Sequence, residues 1–298
     1  MDPHAAPFRL VTIWALVGRS RVSDAERASI EHLQRVCEAA EPLDMKVELD
    51  EAGGPDQPLH QLAFAGDVLV GYAGMTGDTQ AEACGMVHPD WRRQGIGTSL
   101  LDEVGRVARR LGHDSLLWVC EDAGPVALAW MWRLGAVHAA SERRMTLHLT
   151  ADAETARPPA VDVGTLELRR PSPDDRPARI GLLMERFTET AEEIEERLAG
   201  YTDADSLIAL ERGVVVGTLR LIPSPARSMI YGFVVDRERR GQGLGSRMLA
   251  AVLERLRAEG VADVGLEVDP ENTPAVRLYE RFGFETVTTY RYMRLATA

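Results

Sequence analysis

Val87-His88-Pro89-Asp90-Trp91-Arg92-Arg93-Gln94-Gly95-Ile96-Gly97-Thr98 is matched 148 residues later by Val235-Asp236-Arg237-Glu238-Arg239-Arg240-Gly241-Gln242-Gly243-Leu244-Gly245-Ser246. Both stretches contain Arg-x-x-Gly-x-Gly between an apolar run and a helix-like run. The same 148-residue offset relates Gly135 to Gly283. A repeat this long implies two copies of one domain.

The residue types suit a cradle for an anion. Glycine lacks a Cβ, so backbone N–H groups can converge and a ligand can approach closely. The segments beginning at Thr98 and Ser246 read as helix starts, where unpaired N–H donors and the positive end of the helix dipole point outward. Arg92 and Arg240 would add positive charge beside each cradle. One such motif alone would more often be a plain glycine turn. Its duplication, with a strand before and a helix after each copy, favours a binding role.

Composition narrows the class. A length of 298 residues suggests about two domains. The 45% hydrophobic and 27% charged content is that of an ordinary globular chain. The three cysteines, Cys37, Cys84 and Cys120, are widely spaced and indicate neither a disulfide framework nor a zinc site. The seven histidines show no metal-ligand spacing, so no metal is expected. Leu10 to Val17 is apolar but too short to span a membrane, and no leader pattern precedes it, which suggests a cytoplasmic protein. The net charge of −12 argues against nucleic acid as a partner. The only lysine is Lys46, against many arginines and alanines, as in a GC-rich bacterial genome.

Patterning gives two parallel series of elements. In the first half these are a strand at 10–16, a helix opened by the capping-box spacing Ser23 to Glu26, a hairpin at 61–72, and a strand at 82–87. The glycine loop, a helix to about 111, a strand at 115–120, a helix at 125–134 and a strand at 143–149 follow. The Pro-containing segment 151–163 reads as a linker between domains at 1–150 and 164–298. The second half repeats the order: strand 166–168, helix 179–198, hairpin 207–217, strand 229–235, glycine loop, helix 246–259, strand 264–268, helix 274–282 and strand 286–295. The fold class is α/β.

The two loops resemble the acyl-CoA-binding motif of the Gcn5-related N-acetyltransferase (GNAT) superfamily, Gln/Arg-x-x-Gly-x-Gly/Ala. The resemblance covers both halves and implies two tandem GNAT-like domains, each a mixed, mostly antiparallel sheet flanked by helices. It implies acetyl-CoA as co-substrate, bound through Val87, Arg92, Arg93, Gly95, Gly97 and Thr98 in the first half. In the second half the corresponding residues are Phe233, Val235, Arg240, Gly241, Gly243, Gly245 and Ser246. Phe233 to Val235 would supply backbone donors for the developing oxyanion.

The stretch Leu266-Glu267-Val268 … Asn272 … Leu278-Tyr279 … Gly283-Phe284 is similar to a second GNAT pattern, found also in ribosomal-protein N-terminal acetyltransferases. That resemblance makes Asn272 a coenzyme A contact, Glu267 the base and Tyr279 the acid for the leaving thiolate. Two readings of Glu267 stand, since an alternating strand also places a solvent-facing residue there. Tyr279 is alternatively a core aromatic. Thr273 before Pro274 reads as a helix N-cap.

By the constant offset Glu267 falls on Val119, Asn272 on Gly124 and Tyr279 on Met131. Neither Val119 nor Met131 can move a proton. The first half is therefore expected to bind acetyl-CoA without turnover or to serve as scaffold. Trp118, Trp130 and Trp132 are expected in its core, and Cys120 is read as a small buried residue rather than a nucleophile.

The expected function is acetyl transfer to a primary amine of a small molecule or a peptide N-terminus. The two-domain layout also resembles the mycothiol synthases, a tandem branch of the superfamily. Those enzymes carry a glutamate where this chain has Met229, which counts against the same acceptor. A different class, a non-catalytic tandem acyl-CoA sensor or scaffold, would have no use for Asn272 and Tyr279. Glu185, Glu189, Glu192 and Glu196 recur at helical spacing. They form either a solvated face or an acidic border that selects a cationic acceptor.

Overall fold

The computed structural model describes residues 14–49, 53–54, 57–77, 80–149, 161–185, 189–199, 205–223 and 227–297. The chain divides into two compact units: Met1–Ser141 with Thr288–Ala298, and Glu142–Val287.

Unit 1 contains β1 (Ala15–Arg19), α1 (Asp24–Ala40), β2 (His60–Ala65), β3 (Val68–Thr76), β4 (Glu82–Val87), α2 (Ile96–Arg110), β5 (Ser115–Glu121) and α3 (Pro125–Arg133). After β6 (Val137–His148), unit 2 runs through β7 (Leu166–Arg169), α4 (Arg176–Met184), α5 (Ala191–Ala199), β8 (Ser206–Glu211) and β9 (Val214–Ile222). It continues with β10 (Ser228–Val235), α6 (Leu244–Ala258), β11 (Asp263–Val268) and α7 (Thr273–Arg281), and the chain ends on β12 (Glu285–Ala296). The α/β class and the mixed sheets match the expectation.

In unit 1 the strand order is β1-β2-β3-β4-β5-β12. All neighbours are antiparallel except β4 and β5. Unit 2 has the order β7-β8-β9-β10-β11-β6, again antiparallel except at β10 and β11. The two closing strands thus stand in each other's expected places. β6 and β12 are repeat copies, yet β6 pairs with β11 from Asp263↔His148 to Val268↔Arg143, and β12 pairs with β5 from Tyr290↔Glu121 to Ala296↔Ser115. The sequential division at 150 therefore differs from the division by packing. Copies with the same in–out alternation fit the same slot, so the sequence alone does not decide which slot each fills.

Each unit buries one face of its helices. In unit 2 Met248, Leu249, Val252 and Leu253 of α6 pack with Val264 and Leu266 of β11 and with Met145 and Leu147 of β6. In unit 1 Leu100, Val104 and Val107 of α2 pack with Ala73, Leu116 and Met293. Each fully buried residue of this size contributes about 1.5–3 kcal/mol.

Three local expectations are refined. Among the described residues the first strand begins at Ala15, and the part of the expected strand at 10–13 lies outside them. The segment 179–198 is two helices. Thr190 begins a new one, because Glu193 N donates to Thr190 Oγ1 (3.2 Å) and Thr190 N donates to Glu193 Oε2 (2.7 Å). The N-cap of α7 is Asn272, not Thr273; its side chain accepts from Ala275 N at 3.4 Å. The Ser23–Glu26 capping box of α1 forms as expected. The linker centre, 150–160, lies outside the described residues.

The start of α4 is tied to β7 by ion pairing. Arg169 donates to both oxygens of Asp175 (2.7 and 2.9 Å), and Ser172 N donates to Asp175 Oδ2 (2.6 Å). Arg169, helped by the Ser172 bonds, holds the Asp175 carboxyl far below the usual carboxylate range. A carboxylate of depressed pKa stabilises the fold above its unfolded pKa, and that contribution is lost as pH falls toward the folded value. Asp175→Asn should therefore lower the melting temperature by a nearly constant amount from pH 8 to about 5. The gap to the parent chain should close below about pH 4. Melts across that range check it.

The exchanged strands give a second test. A fragment spanning 137–287 keeps every strand of unit 2, whereas one spanning 164–298 lacks β6. The first should unfold cooperatively, and the second at least about 10 °C lower. Equal melting temperatures in calorimetry would mean that β12 replaces β6.

Candidate active site

The unit 2 site opens where two parallel strands part. β10 and β11 pair only at Ser228↔Val264, Met229↔Gly265 and Ile230↔Leu266. Beyond that, β10 runs on to Val235 and β11 to Val268 beside a cleft of about 650 Å³. β10 is also bulged there. Its partners on β9 are Arg220 for Tyr231 and Thr218 for Val234, so Gly232 and Phe233 together face Leu219 alone. Gly232 has φ 55°, a backbone suited to glycine. A bulge takes backbone groups out of the ladder, at the point where the cleft is lined by Gly232, Phe233 and Val235.

The glycine loop closes one end. Gly243 caps α6 in the left-handed region (φ 78°), and no side chain caps the helix. The first amides of α6, starting at Leu244 and Gly245, are thus left for an anion. Arg240, Gly241 and Gly245 line the cleft. The Arg240 guanidinium folds back: Nε donates to Val235 O (3.1 Å), and Nη2 lies 3.7 Å from Glu185. It braces the loop more than it extends toward a ligand. Ser246 accepts from Arg281 through its hydroxyl.

Unit 1 repeats this geometry. Gly95 caps α2 with φ 87° and no side-chain cap, and Arg92 Nε donates to Val87 O (3.1 Å) while Nη1 meets Glu41 (2.5 Å). Arg93, at the position of Gly241, holds φ 62°, a strained backbone for arginine. Val87, Arg92, Arg93, Gly95, Gly97 and Thr98 all line a cleft of about 480 Å³.

The chemistry-bearing residues of unit 2 come together. Glu267, Asn272 and Tyr279 line the same cleft as Phe233. The Tyr279 ring is packed edge-on between Phe233 (6.3 Å between centroids) and Phe284 (5.8 Å). Glu267 is not a solvent-facing residue, because its side chain is 7% exposed and Oε1 accepts from Arg144 Nη2 at 3.0 Å. Arg144 is the cross-strand partner of Glu267, from β6. It was missed in the sequence because β6 precedes the linker.

Unit 1 has neither feature. Its β4 pairs with β3 in unbroken register from Gly71↔Val87 to Thr76↔Glu82, so the bulge is absent. Val119 and Met131 stand in the cleft where unit 2 has Glu267 and Tyr279, and Gly124 caps α3 without a side-chain bond. Of the tryptophans expected in the core, Trp118 and Trp130 line this cleft, whereas Trp132 is 53% exposed. Burial pushes the Cys120 thiol up to about 12, which leaves almost no thiolate at neutral pH and agrees with a packing role.

The acidic stripe does not form. Glu185 follows α4, whereas Glu192 and Glu196 sit exposed on the separate helix α5, and Glu189 is paired with Arg197 at 2.7 Å. What α4, α5 and β9 place along the cleft is Arg179, Arg197 and Arg220, with Leu183 and Leu198. The one available sequence signal was Arg220 inside the apolar run Leu219-Arg220-Leu221.

Known proteins resemble this chain in sequence and fold. The profile of the acetyltransferase (GNAT) family matches residues 27–136 and again 173–284. A mycothiol acetyltransferase of Brachybacterium faecium is 34% identical over 74% of this chain and 69% of its own length. One from Saccharomonospora viridis is 31% identical over 89% and 94%. Among solved structures, a GCN5-related N-acetyltransferase from Sphaerobacter thermophilus superposes with a TM-score of 0.74 at 23% identity, covering 95% of this chain and 96% of that one. A tandem GNAT protein from the clavulanic acid biosynthesis pathway gives 0.71 at 21% identity, covering 96% and 99%. The structural likenesses, at that identity, are of fold. No helix among the described residues is long and apolar enough to cross a membrane. With two matched domains, two glycine cradles and relatives along most of its length, the chain belongs to the GNAT family as a tandem member and is an acetyl-CoA-dependent N-acetyltransferase.

Proposed function

We propose that unit 2 transfers the acetyl group to a primary amine of a small molecule and that unit 1 binds acyl-CoA without turning it over. The observation that carries this is the pairing of the β10 bulge with Tyr279 on one cleft, when unit 1 has unbroken β4 and Met131 at the same positions.

The amine nitrogen attacks the thioester carbon, and the carbonyl oxygen gains negative charge. Backbone donors freed at the bulge between Gly232 and Val235 meet that charge. The C–S bond then breaks, its electron pair goes to sulfur, and Tyr279 gives the thiolate a proton. Glu267, held in place by Arg144, takes the proton that the amine loses, directly or through water. The glycine loop and the uncapped start of α6 hold the pyrophosphate of the co-substrate, and Asn272 lines the path along the cleft.

A second reading, mycothiol acetyltransferase activity, is favoured by the identity to proteins of that name. The position where the mycothiol synthases carry a glutamate is Met229, whose sulfur packs against Gly265 on β11 and offers no carboxylate.

Tyr279→Phe should lower kcat by about a hundredfold or more and leave the KM for acetyl-CoA within about a factor of two. Met131→Leu should change neither. Glu267→Gln should remove the acid limb of the kcat/KM profile. Free-thiol release measured across pH checks all three, and a parental rate for Tyr279→Phe would return that residue to a packing role.

Titration calorimetry should find two acetyl-CoA sites per chain. Gly97→Phe should abolish one of them while turnover is retained, since a Cβ there already makes van der Waals contact with Trp130 at 3.5 Å and the ring beyond it has to occupy the cleft. A single site that survives this substitution would rule out binding by unit 1.

A further inference from the structure

The wall of the unit 2 cleft away from the glycine loop is built by three arginines on three different elements. Arg220 on β9 is the cross-strand partner of both Tyr231 on β10 and Ser206 on β8, so these three side chains share one face of the sheet. Arg179 reaches that face from α4 and donates through Nη2 to Ser206 Oγ at 2.9 Å. Arg197 arrives from α5, steered by its bond to Glu189. All three line the cleft, as does Tyr231, which begins the bulge. Tyr231 and Val235 pair with Arg220 and Gly217, three residues apart on β9, so this wall is about 10 Å along the strand from the entry to the loop. It is therefore a separate subsite from the cradle for the co-substrate.

Its charge is opposite to that expected from the sequence. Glu192, Glu193, Glu195 and Glu196 are exposed, while Arg197 and Leu198 are the α5 residues at the cleft. The carboxylates lining the cleft are Glu142, Glu267 and Asp269; Glu267 is held by Arg144, and Arg197 shares its charge with Glu189 beside the cleft through Nη2. Arg179 is only 5% exposed. Guanidinium is the side chain whose planar donors match a carboxylate or phosphate in pairs, and a cleft wall of arginines repels an ammonium group.

The geometry points to an acceptor that is an amine carrying an anionic group, a carboxylate or a phosphate. Arg179, Arg197 and Arg220 hold that group while the amino nitrogen faces the bulge. This inference rests on the reading that unit 2 is the transferring unit, and it replaces the cationic acceptor suggested by the glutamate spacing.

The test uses the full chain, acetyl-CoA and matched amine pairs, read as free-thiol release. One arm compares amino acids with their carboxamides, and the other compares aminosugar phosphates with the unphosphorylated aminosugars. In at least one arm the anionic member should have a kcat/KM at least about tenfold above its neutral partner. The arm that responds identifies carboxylate or phosphate. Arg220→Gln should raise the KM for that acceptor about tenfold, leave the KM for acetyl-CoA unchanged and shrink the preference within the pair. Arg197→Gln, on a surface helix, should do the same without disturbing a strand. A preference for neutral or cationic amines would overturn the inference, as would an anionic preference that survives both substitutions. Absence of thiol release with every amine, Tyr279→Phe behaving like the parent, would instead remove the transfer reading beneath it.

Discussion

Everything at the active site follows from two parallel strands that stop pairing. β10 and β11 share three register pairs and then part. The backbone groups beyond that point need other partners, because a buried N–H or C=O left unmade costs about 1–3 kcal/mol. A substrate lying in the opening can supply them. The glycine loop directly follows β10, so the same parting that exposes the strand also aims the start of α6 at the opening. In the proposed mechanism, recognition of the co-substrate and stabilisation of the reacting carbonyl both follow from one local break in a sheet.

Unit 1 shows which parts of that device are separable. It has the parted strands, the left-handed glycine cap and the arginine braced on the preceding carbonyl. It lacks the bulge, the carboxylate and the phenol. Where unit 2 sets Glu267 against Arg144, the same register in unit 1 sets Val119 against Tyr292, whose hydroxyl accepts from Lys46 at 2.9 Å. Lys46 also lies 5.5 Å from the Tyr292 ring centroid. A guanidinium–carboxylate pair has become an aromatic contact that packs without placing a proton acceptor. Binding geometry depends mainly on backbone conformation, so it persists when side chains change; proton transfer depends on single side chains and does not.

The legible parts of this molecule were those written locally. The glycine loops, the hairpins at 60–76 and 206–222 and the Ser23 capping box are short-range patterns whose physics is complete within a few residues. The break between α4 and α5 was equally local, and the Thr190–Glu193 box that makes it was readable. It was hidden by a glutamate spacing that looked like one continuous helix. Arg144 and the arginine wall were not legible. Arg144 reaches Glu267 across 123 positions of chain, through a strand that pairs with the later repeat. Arg179, Arg197 and Arg220 come together only once α4, α5 and β9 are packed.

The contrast between the two charge readings has a general cause. A helix in solution shows its polar face outward, so regularly spaced glutamates describe what the helix presents to water. They say little about the cleft, which is lined by residues next to the apolar stripe. On α5 the buried positions are Ile194 and Leu198, and the cleft residue beside them is Arg197. On α4 the same holds for Arg179 beside Leu182 and Leu183. Charged residues that border an apolar stripe, rather than those opposite it, are the ones a fold of this kind can direct at a ligand. In this chain those residues are arginines.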